Sequence, residues 1–380
     1  MLGPSEKPRL SKRILHVMQC ANLGGMEQTT LLRMNGLMRR GNRCRLVSLN
    51  EVAGLGPLLK DAHIPYVGLK YRLPWGIPGI LEMRRAFRAD PPEALMMTGH
   101  NASAMIALGS LCRDHRMLCI HFHHAGVKAR QIWRLIYRIA CDTFPVITFP
   151  SEFIRAEAED IYPPLRPVST ILPNPFVVPR STPSENERSL ARQSLGLPSD
   201  GFVVGNAGWL IKRKRWDVFL RVAHSVLRQR PDAVFAIAGG GPELGRLRGL
   251  TVELGIDKSV VWLGWLADMD QFYGALDVLL FNSDWDALGR TPIEAAAYGV
   301  PVVASVVNGG LSEFLRDGAD AYISKTHDVE DLASKVVSLT DRALARGMVR
   351  SARDQIAERL SPERDADSVS SLLRLDMIPS

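Results

Sequence analysis

Two acids, Asp286 and Glu294, flank the stretch Ala-Leu-Gly-Arg-Thr-Pro-Ile. Carboxylates so placed accept strong charge-assisted hydrogen bonds from sugar hydroxyls. Glu294 also has a structural reading, because Thr291-Pro292-Ile293-Glu294 has the form of a capping box with Thr291 as N-cap and proline at the first helical position. On spacing alone the capping role stands ahead. Upstream, Lys212-Arg213-Lys214-Arg215 gathers four cations between a predicted strand and a predicted helix. They suit a diphosphate, each charged hydrogen bond contributing about 1.5–3 kcal/mol, and they equally suit a solvated basic loop. Nucleic acid fits less well, since the cluster is local and lacks aromatic partners. Gly24-Gly25-Met26-Glu27 follows the first predicted strand. There, backbone amides can meet an anion at a helix N-terminus, or Glu27 can simply complement the helix dipole in a tight turn. The spacing is not GxGxxG, so the dinucleotide fingerprint is absent.

The segment His121-Phe122-His123-His124 ends another predicted strand, and alternation puts His121 and His123 on one face. A zinc site needs further ligands, which no spaced cysteine pair supplies. A packed histidine is the ordinary alternative, and His123 is the functional candidate of the three. His100, after the preceding strand, either approaches the same region or caps a turn. Arg130, Arg134 and Arg138 recur every four residues in a helical stretch 127–140, beside Ile132, Trp133, Ile136 and Ile139. That pattern suits an anionic membrane surface, and also an ordinary helix with its apolar side in a core.

These residues need a frame that repeats strand and helix. Apolar runs at 14–20 and 44–49 enclose a helical pattern that Gly41 can end, which makes one βαβ unit. The alternation continues with strands at 94–98, 117–122 and 144–149 and helices at 102–112 and 127–140. After the proline-rich 171–180 and the polar 181–192, it resumes with strands at 202–206, 234–238, 260–263, 278–281 and 302–304. Helices at 216–229, 244–254, 269–275 and 292–298 separate them. The expected architecture is α/β, with two doubly wound parallel-sheet domains, 1–178 and 179–361, facing a central cleft beyond their strand carboxyl ends. An amphipathic tail at 362–375 is expected to cross back and complete the first.

A chain of 380 residues with 46% hydrophobic and 23% charged residues supports packed cores and excludes a disordered or collagen-like class. Lys and Arg exceed Asp and Glu by 7, from 47 against 40, which favours an anionic ligand or surface. Five cysteines without a framework, no apolar leader and no run of about 20 apolar residues point to a cytoplasmic protein whose membrane contact is peripheral, on the inner face.

Taken together, the motifs resemble a glycosyltransferase of family 4, a retaining, nucleotide-sugar-dependent family of GT-B fold with two Rossmann-like domains. The likeness runs from Gly24-Gly-Met-Glu27 through Leu172-Pro-Asn174 into the block 204–318. That block holds Ala238-Gly-Gly-Gly-Pro-Glu243, Leu263-Gly264, Tyr273, Asp277-Val278, Glu294 to Val303 and Asn308-Gly-Gly-Leu-Ser-Glu313. The resemblance implies that Glu294 binds the donor ribose, Asp286 the transferred sugar, and Lys214 the diphosphate. Arg213 and Arg215 assist on the donor side. The Gly24 and Gly25 amides approach the same diphosphate, and His123 lies near the anomeric carbon. It implies transfer to a hydroxyl of a glycan or lipid-linked acceptor in cell-envelope polysaccharide or glycolipid synthesis. No cofactor or metal is implied. Two departures stand out: Asp286 occupies a position usually held by Glu, and Trp209 follows Gly208 where Arg is common. A GT-B nucleotide-sugar epimerase or hydrolase, and a non-catalytic nucleotide-sugar-binding subunit, are the alternatives. Fold alone does not separate them.

Overall fold

The computed structural model describes residues 11–22, 24–69, 77–111, 116–120, 129–266 and 268–375. The chain divides into two compact units, one of residues 1–176 with 360–380 and the other of residues 177–359.

In the first unit the strands are β1 (Arg13–Met18), β2 (Arg43–Ser48), β3 (Tyr66–Gly68), β4 (Ala94–Thr98), β5 (Arg116–Ile120), β6 (Val146–Phe149) and β7 (Ser169–Ile171). All pair in parallel, in the order β3-β2-β1-β4-β5-β6-β7. Strands covered by helices on both faces read as unbroken apolar runs. Ala-Leu-Met-Met-Thr of β4, buried at every position, is such a case. The intervening helices are α1 (Gly25–Arg39), α2 (Leu55–Asp61), α3 (Ile77–Ala89), α4 (Ala102–Leu111), α5 (Arg130–Thr143) and α6 (Glu152–Ile161).

The second unit opens with α7 (Glu185–Ser194). The polar stretch 181–192, for which no element is expected from the sequence, is thus largely helical. Ser184 and Glu187 form a reciprocal capping box at its start, and Ala191 and Arg192 bury its inner side. The strands are β8 (Phe202–Ala207), β9 (Ala233–Ala238), β10 (Val260–Gly264), β11 (Val278–Asp286), β12 (Val302–Gly309) and β13 (Tyr322–Ser324), all parallel, in the order β10-β9-β8-β11-β12-β13. Between them run α8 (Trp216–Gln229), α9 (Leu244–Glu253), α10 (Met269–Ala275) and α11 (Arg290–Ala297), followed by α12 (Val329–Ser338) and α13 (Arg342–Leu360). The core packs Phe219, Phe235 and Ile237 against Trp216 and Val222.

The last helix, α14 (Pro362–Leu372), belongs to the first unit, where Val369 and Leu373 join the core of β1, β2 and α1. Arg33 of α1 and Asp365 of α14 are both buried and form a bidentate ion pair, Nη2 to Oδ1 at 2.7 Å and Nε to Oδ2 at 3.0 Å. In each sheet the chain reverses direction at one strand pair, β1/β4 and β8/β11. The carboxyl ends at such reversals are where open α/β sheets leave room for ligands.

Candidate active site

At the β8/β11 reversal, β8 leads into Gly208 and then a short 3-10 turn, Lys212–Lys214, before α8. Beside it β11 continues through polar Asn282-Ser-Asp-Trp-Asp286, beyond the expected end at Phe281, because β12 extends in step with it to Gly309. Asp286 therefore ends a strand instead of sitting in a loop. Its approach to β12 requires glycine: a Cβ on Gly309, at φ 152°, would lie 2.2 Å from the Asp286 carbonyl oxygen.

Lys214 donates from Nζ to Oδ2 of Asp286 at 2.5 Å, with both side chains about 15% exposed. The guanidinium of Arg213 lies 3.7 Å from the same carboxylate, donates to the Trp285 carbonyl at 2.7 Å and stacks 4.0 Å from the centre of the Trp285 ring. The Gly289 N–H donates to Oδ1 of Asp286 at 2.9 Å. Burial pushes the Asp286 carboxyl up, but Lys214, the Gly289 amide and Arg213 outweigh it and hold the group below its ordinary value. Lys214, Arg213 and Asp286 are thus brought together.

Arg215 is not part of that grouping. It adopts a left-handed backbone, φ 46°, at the start of α8, a conformation costing a non-glycine residue about 1–2 kcal/mol. Asp217 clasps its guanidinium through two bonds of 3.1 Å, and Asp284 accepts a third at 3.1 Å. Asp284 also contacts His327 Nε2 at 3.1 Å, and Nδ1 of that ring meets Ser305. Asp217 and Asp284 hold the Arg215 guanidinium above its ordinary value, despite some burial. Asp284 and His327 were not singled out in the sequence, since only the fold brings the loop after β13 to the end of β11. Lys212, the first of the four cations, is exposed.

Glu294 corrects the capping-box reading. The helix α11 begins at Arg290 with Gly289, φ 76°, as its N-cap and no side-chain cap. The Thr291 hydroxyl donates to the Ala207 carbonyl at 3.3 Å, which ties α11 to the end of β8. Glu294, one turn in, accepts from the buried Tyr273 hydroxyl at 2.6 Å and from Arg290 Nε. The Tyr273 ring packs at a tilt against Tyr298, with 5.4 Å between ring centres. Burial first, and Glu294 beside it, push the Tyr273 hydroxyl well above its ordinary value, so it serves as a donor.

In the first unit, Gly24 is the N-cap of α1 without a side-chain cap, and the buried Glu27 turns back on it. A Cβ at Gly24 would lie 2.6 Å from Glu27 Oε2. The dipole-complementing role of Glu27 is therefore present, and any anion at this turn meets that carboxylate. Asn101 Nδ2 crosses the β1/β4 reversal to Gln19 Oε1 at 2.8 Å. His100 packs 5.0 Å from the Trp133 ring centre. His121, His123 and His124 lie outside the described residues.

Along α5, Arg130, Arg134 and Arg138 are exposed, and Arg130 pairs with Asp160 at 2.9 Å. The apolar residues expected beside them divide differently. Trp133 and Ile136 are buried in the unit and Ile139 is half-buried, while Ile132 is 49% exposed; Leu135, not singled out in the sequence, is 58% exposed. Among the described residues no group of His, Cys, Asp and Glu forms a metal cluster, and no helix is long and apolar enough to cross a membrane. A cavity of about 510 Å³ between α7 and α10 is lined by Tyr298 but by none of Arg213, Lys214, Asp286 and Glu294.

Residues 23–176 match the family model for Glycosyltransferase Family 4, and residues 187–355 match that for Glycosyl transferases group 1. The chain is 24% identical over 256 residues to the UDP-Gal:alpha-D-GlcNAc-diphosphoundecaprenol alpha-1,3-galactosyltransferase of Escherichia coli, covering 67% of this chain and 65% of that one. It is 34% identical over 198 residues to the D-inositol 3-phosphate glycosyltransferase of Saccharomonospora viridis, covering 49% and 46%. These matches span less than two thirds of either relative. A GDP-mannose-dependent alpha-(1-6)-phosphatidylinositol monomannoside mannosyltransferase of Mycolicibacterium smegmatis is 28% identical over 292 residues, covering 70% and 76%. Among solved structures, Anabaena HepE in complex with UDP and glucose superposes with a TM-score of 0.81 at 19% identity, over 96% of this chain and 99% of that one.

Proposed function

Because the chain belongs to the family 4 glycosyltransferases of GT-B fold, we propose that it transfers a sugar from a nucleotide-sugar donor to a hydroxyl acceptor with retention of anomeric configuration. The observation that carries this reading is the convergence of Lys214 and Arg213 on Asp286 at the β8/β11 reversal. Two cations and an acid sit side by side there, as a diphosphate joined to a sugar requires.

In this reading Lys214 and Arg213 take the diphosphate, Asp286 takes a hydroxyl of the transferred sugar, and Glu294, held by Tyr273 and Arg290, takes the donor ribose. The acceptor oxygen bonds to the anomeric carbon as the bond from that carbon to the diphosphate oxygen breaks. The departing phosphate oxygen receives the acceptor's proton on the same face, so configuration is retained. The protein's share is orientation and the stabilisation of charge on the leaving group, which Lys214 and Arg213 supply without a metal.

A lipid-linked or glycolipid acceptor fits the exposed arginines of α5 and agrees with the activities of the relatives from E. coli and M. smegmatis. The same helix supports peripheral attachment at the inner membrane face as part of this reading.

Incubation with UDP-, GDP- and ADP-sugars, with and without a lipid-linked acceptor, tests the reading, with the anomeric configuration of product followed by NMR. Acceptor-dependent formation of a retained glycoside is expected. Turnover of donor without acceptor would instead identify a hydrolase or epimerase, and binding without turnover a non-catalytic subunit.

A further inference from the structure

Arg215 is a one-residue break between two helical segments. Its N–H donates to the Lys212 carbonyl at 3.0 Å and closes the 3-10 turn Lys212–Lys214. Its own carbonyl accepts from the Val218 N–H at 3.0 Å and opens α8. The left-handed backbone between them, φ 46° and ψ 45°, separates one segment from the next. In the right-handed region the turn would run on into α8 as one helix, and the residue before the break would swing away from the end of β11. That residue is Lys214.

Glycine enters the left-handed region freely, whereas an L side chain stays there only when its surroundings hold it. Lys214 and Arg215 follow one another in the turn, and they reach Asp286 and Asp284, which strand alternation puts on one face of β11. Two neighbouring ion pairs therefore tie the turn to the strand. Asp217, in the first turn of α8, takes the other side of the Arg215 guanidinium. Behind Asp284 stands His327, its side chain 12% exposed. A carboxylate only accepts, so the 3.1 Å contact to Asp284 puts the imidazole proton on His327 Nε2. Nδ1 of the neutral ring then accepts from the buried Ser305 hydroxyl, which itself accepts from Nδ2 of the buried Asn282 at 3.2 Å. One run of donations thus leads from the core of the sheet out to the carboxylate that holds Arg215.

We propose that Arg215 is a positioning residue, locked in its left-handed conformation by Asp217, Asp284 and His327 so that Lys214 stays over Asp286, a role that rests on the donor reading given above. Its guanidinium is engaged by two carboxylates of this chain, and the diphosphate is left to Lys214 and Arg213. The role is one of backbone conformation, so glycine can replace Arg215 and alanine cannot.

The test is titration of inorganic pyrophosphate, UDP and GDP by calorimetry into wild type, Lys214→Ala, Arg215→Ala, Arg215→Gly, Asp284→Ala and the double variant Arg215→Gly with Asp284→Ala, each checked for folding by thermal melting. Arg215→Ala is expected to lose about 5- to 30-fold in affinity for all three ligands, the scale of the left-handed penalty, because the competent turn becomes a minor state. Arg215→Gly, which lacks the same charge, stays within about threefold of wild type. Asp284→Ala weakens binding in the wild-type chain and leaves it unchanged in the glycine chain. That comparison, made in two chains, also guards against an Arg215→Ala variant that fails to fold. Lys214→Ala weakens all three ligands in every case. Arg215→Gly as weak as Arg215→Ala, or Arg215→Ala as tight as wild type, overturns the positioning role and leaves the donor reading standing. An effect of Asp284→Ala equal in both chains overturns it too. A wild type that binds none of the three, or a Lys214→Ala variant that binds them as tightly as wild type, overturns both.

Discussion

Lys214 and Asp286 are 72 residues apart in the chain and 2.5 Å apart in space, ammonium nitrogen to carboxylate oxygen. Each is the other's closest charged partner, with Arg213 a second cation at 3.7 Å. A diphosphate binding here has to draw Lys214 partly away from that carboxylate, which frees Asp286 to accept from a sugar hydroxyl. In the proposed reading the pair thus links the diphosphate and sugar subsites.

Replacing Lys214 by alanine is expected to lower kcat by about 10²–10³, the scale of removing one donor aimed at developing charge. Binding of the uncharged nucleoside should change little. Steady-state kinetics beside nucleoside titration checks this, and unaltered turnover would move the leaving-group role to Arg213.

The same pair sets an acid dependence. The Asp286 carboxyl is held below its ordinary value in the folded protein, so its charged interactions stabilise the fold at neutral pH and fade as pH falls through the folded-state value. Chemical denaturation of wild type and Asp286→Asn from pH 7 down to pH 3 is expected to show a stability gap that narrows toward acid. A gap independent of pH would show that ionisation of Asp286 contributes nothing.

Glu294→Ala should remove donor binding and also orphan the buried Tyr273 hydroxyl, at about 1–3 kcal/mol. Adding Tyr273→Phe is expected to restore much of the stability and none of the binding. Thr291→Ala, which removes no cap, should leave nucleotide affinity near wild type. Melting curves and nucleotide titrations separate the three outcomes.

Activity is expected to survive EDTA, because Lys214 and Arg213 supply the positive charge at the leaving group. Loss on chelation with recovery on adding manganese or magnesium would overturn the metal-independent step.

For α5 the expected outcome is salt-sensitive flotation with anionic vesicles, at about 1 kcal/mol per basic side chain near the surface. Arg134→Glu with Arg138→Glu should reduce it, and so should Ile132→Ser with Leu135→Ser. Trp133 and Ile136 are poor targets, since their replacement damages the unit's own core. Equal flotation of all variants would leave α5 as ordinary surface.

The parallel sheets were legible because strands buried on both faces leave apolar runs in the sequence. The runs 94–98 and 278–281, for example, lie within β4 and β11. The rest of β11 was not legible, since Asn282-Ser-Asp-Trp-Asp286 is held by ladder bonds to β12 and carries no apolar signal. Helix α7 was hidden for a related reason: its stability begins in a cap and in two inward residues, within a stretch whose composition reads as linker. At the site, Lys214, Arg213 and Asp286 were found by residue type, and their meeting depended on strand order. The misreading of Glu294 came from a local pattern that tertiary contacts override, through the left-handed Gly289 and through Tyr273, which reaches the carboxylate from α10.

The Arg33–Asp365 pair carries a consequence for how the protein is made. Its partners are separated by 332 residues, so at about 5–20 residues per second a ribosome delivers the aspartate roughly 15–70 s after the arginine. Throughout that interval the seven strands of the first unit exist without the helix that closes over them, while the uninterrupted second unit has all its residues in hand before α14 emerges. The order of birth is thus the reverse of the order of completion. A nascent chain stalled before Asp365 is expected to present a finished second unit beside a protease-sensitive first one, and its sensitivity should vanish when translation resumes.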